Sequence, residues 1–306
     1  MTPTRRRPPA RPTSSPLADP WHVITATARG RSHEVRGIPS QDAVAHRPIA
    51  AAPGLVVAVA DGHGHHRHFR SGTGSALAVR AACQAAADLV TELGPPAGKS
   101  SGGRASALPP PTAEMIAGRL PSIILRDWRA AVARDVRADP LGRRELDVME
   151  CRGDDVEVAY GATLLVAVVV AEWLVCAQIG DGDIVTVAPD GAHGCPVPGD
   201  DILDGLHTTS LCQPDALDSF RTGTRDLAAE PLRALMLATD GYGNAQARTP
   251  WQPEFARELA VLAATRDPAW FAAQVPGWAA KCASGDGSGD DTTIALLLAA
   301  ADPVTP

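Results

Sequence analysis

The chain has 306 residues, is 45% hydrophobic and 21% charged, and carries a formal net charge of −7 with a pI near 5.7. That length buries a substantial core. The acidic balance argues against nucleic acid as the main partner.

The first twenty residues, MTPTRRRPPARPTSSPLADP, are rich in Pro, Arg and Ser and read as a disordered tail. No apolar stretch follows the arginines, so they do not read as an export signal. One ordered domain is expected over 21–301, with 302–306 as a short tail. Trp21–Arg29 and Leu55–Ala60 read as strands. Ser75–Leu93 is Ala-rich and ends at Gly94, a helix with a C-terminal glycine. The next segment, GPPAGKSSGGRASALPPP over 94–111, lacks the spacing of a phosphate-binding loop and reads as a flexible loop. Thr112 suits the N-cap of a second helix, Ala113 to about Arg137. Residues 139–158 are charged and read as loop.

GATLLVAVVVAEWLVCAQIG, 161–180, is long enough for a membrane span, but Glu172 lies in its middle. Two buried strands joined by a tight turn at Ala171-Glu172-Trp173 fit better, and no membrane partner is expected. Strand pattern continues to 187. Residues 190–226 are rich in Gly, Pro and Asp and read as an irregular surface segment, a flap. Leu232–Ala238 reads as a strand, Pro253–Cys282 as one or two helices interrupted at Pro268 and Pro276, and Thr292–Ala299 as a closing strand. Six cysteines lie far apart with no CxxC, as expected of reduced thiols in a cytoplasmic protein. This order suits an α+β fold of helices packed on antiparallel sheets.

The apolar strands end alike. LVVAVA leads to Asp61-Gly62, LRALMLAT to Asp240-Gly241, and LVCAQI to Gly180-Asp181-Gly182-Asp183. Gly289-Asp290-Asp291 stands just before TTIALLLA, and Gln41-Asp42 just before Ala43-Val44. A single Asp-Gly after a strand is usually a turn. Several carboxylates meeting at one edge repel one another unless hard cations lie between them. Aspartates, carbonyls and water suit Mg²⁺ or Mn²⁺, and two such ions can activate a shared water toward phosphorus.

The series QDA, VADGHG, YGAT, IGDGD, ATDGYGN and GDDTT resembles the metal-dependent Ser/Thr protein phosphatases of the 2C (PPM) type, bacterial members in particular. The resemblance spans about Trp21 to Ala299. It implies a four-layer αββα sandwich, two antiparallel sheets flanked by helices, with two Mg²⁺ or Mn²⁺ ions at one sheet edge. It implies an enzyme that hydrolyses phosphoserine and phosphothreonine in a phosphoprotein substrate by direct attack of a metal-bridging water. A monomer is the default expectation, and a Ser/Thr kinase is a candidate partner. By position, Asp61 would serve both metals and the Gly62 carbonyl one of them. Asp240 and Asp290 would hold the other, and Asp42 matches the second acid of an early Glu-Asp pair. His63 would protonate the leaving oxygen.

Three positions depart from the family pattern. Gln41 replaces a glutamate. Gly37 stands where the phosphate-gripping arginine belongs, leaving Arg36 and His33 as the phosphate-binding candidates, with Arg31 as a further substitute. A third metal site would use Asp181, but Asn244 replaces its other aspartate, so that site should be weak. These departures motivate an alternative: a catalytically weak binding or regulatory module acting with a partner kinase. The run His63, His65, His66 and His68 raises a zinc hydrolase, but no downstream Cys/His group has ligand spacing. These imidazoles read instead as surface groups beside an anionic site.

Overall fold

The computed structural model describes residues 21–50, 52–94, 113–200 and 208–300. The expected tails, the loop after Gly94, Thr112 and part of the expected flap lie outside the described residues. Among the described residues ten strands form two antiparallel sheets. One holds β1 (Trp21–Ala28), β6 (Asp183–Val187), β7 (His193–Gly194), β9 (Ala234–Ala238) and β10 (Thr292–Ala299), in the order β1-β10-β9-β6-β7. The other holds β2 (Ala43–Pro48), β3 (Gly54–Ala60), β4 (Leu164–Val170), β5 (Trp173–Ile179) and β8 (Arg221–Asp226), in the order β2-β3-β4-β5-β8.

The sheets pack face to face, and helices cover both outer faces. Side chains alternate across a strand, so each central strand feeds two cores. In β3, Leu55, Val57 and Val59 enter the layer between the sheets. Val56, Ala58 and Ala60 meet α2 (Ser71–Leu93) and α3 (Ala113–Ala138). In β10, Ala295 and Leu297 face inward, whereas Ile294, Leu296 and Leu298 meet α6 (Gln252–Thr265) and α7 (Pro268–Cys282). Strands buried on both faces must be apolar throughout. That is why 161–180 has the hydropathy of a membrane span while forming the β4–β5 hairpin, with Val170 paired to Trp173. Among the described residues no helix is long and apolar enough to cross a membrane.

Several expected loops are ordered. The charged stretch 139–158 contains α4 (Arg143–Glu150) and a 3-10 turn at Val156–Tyr160. Glu145 caps α4 by accepting from the Gly142 N–H at 2.7 Å. It also pairs with Arg70 at 3.1 Å, so charge pairing rather than apolar packing holds this helix. The segment 190–226 yields β7 and the edge strand β8. The sequence RTGTRD hides β8 because all six residues are half-buried and none is apolar. Pro268 opens α7, and Pro276 lies inside it without ending it. Two short helices were not expected, α1 (Arg31–Arg36) and α5 (Asp240–Gly243).

Helix α2 begins at Ser71, four residues before the expected start. Its first turn packs tightly: a Cβ on Gly74 would lie 1.9 Å from the Tyr160 carbonyl oxygen. Trp128 of α3 is fully buried and donates Nε1–H to the Gly74 carbonyl at 3.0 Å. Gly118 on α3 has open space around its Cβ position. Gly74→Ala should therefore destabilise the protein by about 1–3 kcal/mol through overpacking. Gly118→Ala should stabilise it by about 0.5–1 kcal/mol through helix propensity. Denaturant melts of both variants check the pair, and equal effects would contradict this packing.

Candidate active site

The acidic strand ends meet at one edge of the sandwich. A cleft of about 680 Å³ opens there, and its lining includes Asp61, Gly62, His63, Asp181, Asp240 and Asp290. Each is set by the end of a strand. Asp61 leaves β3, and Thr163 brackets it: Asp61 N–H donates to Thr163 Oγ1 at 3.1 Å, and Thr163 N–H donates to the Asp61 carbonyl at 2.8 Å. Asp240 follows β9 and opens α5. Asp290 stands exposed just ahead of β10. Asp181 sits in the β5–β6 turn. The other acid of that turn, Asp183, is turned toward α6 and accepts from Gln252 Nε2 at 3.0 Å.

Asp42 is set behind Asp61 rather than in the cleft lining. The Thr239 hydroxyl donates to Asp42 Oδ2 at 2.9 Å, and Thr293 N–H donates to Thr239 Oγ1 at 2.9 Å. One threonine thus clamps the start of β2, the end of β9 and the start of β10. Burial pushes Asp42 up to about 7, and the charge of Asp291 adds to this. Asp61 is raised well above the usual carboxylate range, by burial and then by repulsion from Asp42, Asp240 and Asp290. Burial and the charges of Asp181 and Asp290 lift Asp240 to about 7. Carboxylates raised this far hold protons, or they face cations.

The donor set fits a hard divalent cation. Asp42 Oδ1 is buried with no hydrogen-bond partner, as is Gln41 Oε1. Among the described residues no three His, Cys, Asp or Glu side chains form a ready-made cage for one ion. The four imidazoles from His63 to His68 lie ring against ring, His63 and His68 at 4.9 Å, His65 and His68 at 6.3 Å and His65 and His66 tilted at 4.1 Å, yet none joins such a cage. His68 donates Nδ1–H to the Val158 carbonyl at 2.5 Å, and His65 and His66 are exposed.

His63 lies beside Asp61 in the lining, and its Nε2 is 2.7 Å from Ser210 Oγ. Burial and then the neighbouring His68 ring hold it down to about 4, so it is neutral near pH 7. His33, on α1, is 3% exposed and also lines the cleft, with its Nδ1 2.9 Å from Asp291 Oδ2. Asp291 also accepts from Gly30 N–H at 2.7 Å and Gln41 N–H at 2.6 Å. Its carboxylate is therefore spent on holding α1 and Gln41, whereas that of Asp290 faces the cleft. Gly37 is the left-handed cap of α1, with φ at +70°. Arg36 stands on the rim and donates Nε–H to Ser32 O at 3.1 Å, and Arg31 pairs with Glu34 at 3.1 Å. Asn244 donates to Asp240 Oδ2 at 3.0 Å.

Sequence reasoning passed over Thr239, Thr163 and Ser210. The first two had a signal, a threonine inside an acidic or glycine motif at a strand end. Ser210 had none, because its segment is irregular and contacts His63 only through the fold.

The profile of the protein phosphatase 2C family matches residues 29–276. The crystal structure of a bacterial serine phosphatase superposes with a TM-score of 0.58 at 13% identity, covering 93% of this chain and 100% of that one. PppA of Pseudomonas aeruginosa, a key regulatory component of T6SS, gives 0.53 at 17% identity over 92% and 98% of the two chains. The catalytic domain of the serine/threonine phosphatase PstP, solved with two manganese ions, gives 0.51 at 15% identity over 91% and 97%. At these identities the likeness is one of fold. No curated protein sequence matches the chain.

The raised carboxyls have a direct consequence for stability. A carboxyl whose folded pKa exceeds its unfolded value costs nothing below the unfolded value and destabilises progressively as pH rises toward the folded one. Metal-free protein should therefore lose stability between about pH 4 and pH 7. Asp240→Asn should raise its Tm at pH 8 in EDTA and leave it unchanged near pH 3.5. Equal or lower Tm at pH 8 would show that the repulsion is absent.

Proposed function

The chain belongs to the protein phosphatase 2C family, and from that premise we propose that it is a Mg²⁺- or Mn²⁺-dependent phosphatase acting on phosphoserine and phosphothreonine of proteins in the cytoplasm. The observation that carries this reading is the meeting of Asp61, Asp181, Asp240 and Asp290 in one cleft, with the charges of Asp42, Asp240 and Asp290 bearing on Asp61. Such a cluster is a poor structural device and a good cation site. Asp61, the Gly62 carbonyl, Asp240 and Asp290 would hold two ions, with Asp42 supporting Asp61 from behind. Asp181 would serve a third, weaker site, since Asn244 offers an amide rather than a charge. Ions bound there supply Lewis acidity, offsetting the charge of the phosphoryl group and making water a better nucleophile.

The protein's own residues do the rest. Asp61 is held rigidly by Thr163, and Thr239 aligns the acid behind it. Arg36 on the rim and His33 in the wall are the groups available to the phosphoryl oxygens. Arg36 is the candidate cation, and His33 reaches the cleft while Asp291 fixes its other edge. His63, once protonated, would pass its proton to the leaving serine or threonine oxygen as the P–O bond breaks. Segment 208–214 forms the wall over His63.

A second reading is a regulatory module that binds a phosphoprotein, or its kinase, with little turnover. Gln41, a neutral amide with a buried oxygen unpartnered, and Gly37, a helix cap in place of an arginine, favour it. One assay separates the two. Hydrolysis of p-nitrophenyl phosphate and a phosphothreonine peptide is measured with Mn²⁺, Mg²⁺, Zn²⁺ or EDTA. Turnover should require Mn²⁺ or Mg²⁺ and vanish in Asp240→Ala. Folded wild type inert with every ion would favour the module, and turnover with Zn²⁺ alone would revive the histidine-based hydrolase. Thr239→Val, which removes the clamp on Asp42, should weaken Mn²⁺ binding by about 10–100-fold in calorimetric titration.

A further inference from the structure

We propose that the loop after β3 and the turn after α4 form a second, anion-binding edge of the cleft, where Arg152, His66 and His65 receive an acidic or phosphorylated side chain that neighbours the target phosphoserine or phosphothreonine of the substrate. The proposal names a substrate class for the phosphatase reading and rests on it.

The basic groups of this region have different employments. Arg70 is fully occupied inside the fold. It pairs with Glu145 at 3.1 Å and donates to the Asp139 carbonyl at 2.7 Å and the Tyr160 hydroxyl at 2.9 Å. Arg67 donates Nη2–H to Asp154 Oδ1 at 2.7 Å. That pair has a positional effect. Arg152 and Asp154 flank Gly153, whose φ is +67°, and both donate their N–H to the Met149 carbonyl, at 3.1 and 3.2 Å. The turn they form leaves the end of α4, and the Arg67–Asp154 pair draws it against the loop. Arg152 Nη2 then lies 3.4 Å from His66 Nε2. The His66 ring lies against that of His65, and His65 lines the same cleft as Asp61 and Asp240.

Arg152, His65 and His66 are all exposed. Unlike Arg67 and Arg70, Arg152 pairs with no carboxylate among the described residues. Its side-chain contact is an imidazole nitrogen, which accepts a hydrogen and brings no counter-charge. Desolvation and then the charges of His66, Arg152 and Arg67 hold the His65 imidazole below its ordinary pKa, so these groups lie within electrostatic reach of one another. An anion set among them relieves that repulsion. A guanidinium offers a carboxylate or phosphate two parallel N–H donors. The chain as a whole carries a net charge of −7 and the cleft holds four aspartates. An acidic substrate therefore needs a local basic contact, and this edge supplies one beside the reacting site.

The test uses full-length protein, Arg152→Ala and Arg152→Glu, with thermal melts confirming that each folds. Phosphothreonine peptides of one sequence differ at a flanking position, which carries alanine, glutamate, lysine or a non-hydrolysable phosphonate analogue of phosphoserine. With Mn²⁺, wild-type kcat/KM should be about threefold to fivefold higher for glutamate than for alanine, as an exposed charge pair warrants. The phosphonate, with its greater charge, should gain roughly tenfold. The gain should lie in KM and shrink in high salt. Arg152→Ala should bring the peptides level, and Arg152→Glu should turn the preference toward lysine. Equal kcat/KM across the peptides in wild type, or an acidic preference that survives in Arg152→Ala, would overturn the proposal. If wild type hydrolyses no peptide, the phosphatase reading fails, and fluorescence anisotropy with the same labelled peptides decides the edge. Tighter binding of the acidic peptides by wild type than by Arg152→Glu would support it, and equal binding would refute it.

Discussion

Four carboxyls, those of Asp42, Asp61, Asp240 and Asp290, gather at one sheet edge, and the charges of the other three bear on Asp61. Like charges at such range, in a place shielded from water, cost more than any single packing contact in the molecule returns. A chain can hold them there only if each is fixed by backbone that has no alternative place to go. The fold meets that demand by setting each of them beside the end of a sheet strand: Asp42 ahead of β2, Asp61 after β3, Asp240 after β9 and Asp290 ahead of β10. The rigidity of the strands is what forces the carboxylates together, and the cations expected between them are what make the arrangement worth keeping.

The clamps at those strand ends follow from the same constraint. Thr163 holds Asp61 through two hydrogen bonds, and Thr239 joins β9 to Asp42 and to β10. Asp291 takes a different part from its neighbour Asp290. By accepting from Gly30, His33 and Gln41 it ties the α1 wall of the cleft to the base of β10. The segment 208–214 is tied just as firmly through Thr209 and Leu211 to the ends of β5 and β4. Lining residues on both segments are thus held by hydrogen bonds to strand ends.

Much of this was legible in the chain. Central strands showed as unbroken apolar runs because both of their faces are buried, and the acids stood out because each interrupted such a run. The hairpin at Ala171-Glu172 was legible from one charge in an apolar stretch. What escaped was structure held by charge pairing or by an edge position. Helix α4 is fastened by Arg70 and Glu145, and β8 is an edge strand with no apolar residue. Neither leaves a hydrophobic period to read. Pro276 misled for a related reason: a proline is a break only where the helix cannot do without the lost N–H, and α7 continues through it.

The sequence by itself determined the sandwich of sheets and helices and the acids at its strand ends, because burial on two faces writes a pattern along the chain that needs no partner to be seen. Tertiary structure alone decided which acid does what. Asp290 faces the cleft while Asp291 beside it is consumed by α1, and Asp181 faces the cleft while Asp183 turns to Gln252. It also decided that Ser210, from a segment without pattern, meets His63. Hydrogen bonds between residues far apart in the chain are set by where strands end in space, and adjacent residues of the same type carry no mark of that difference.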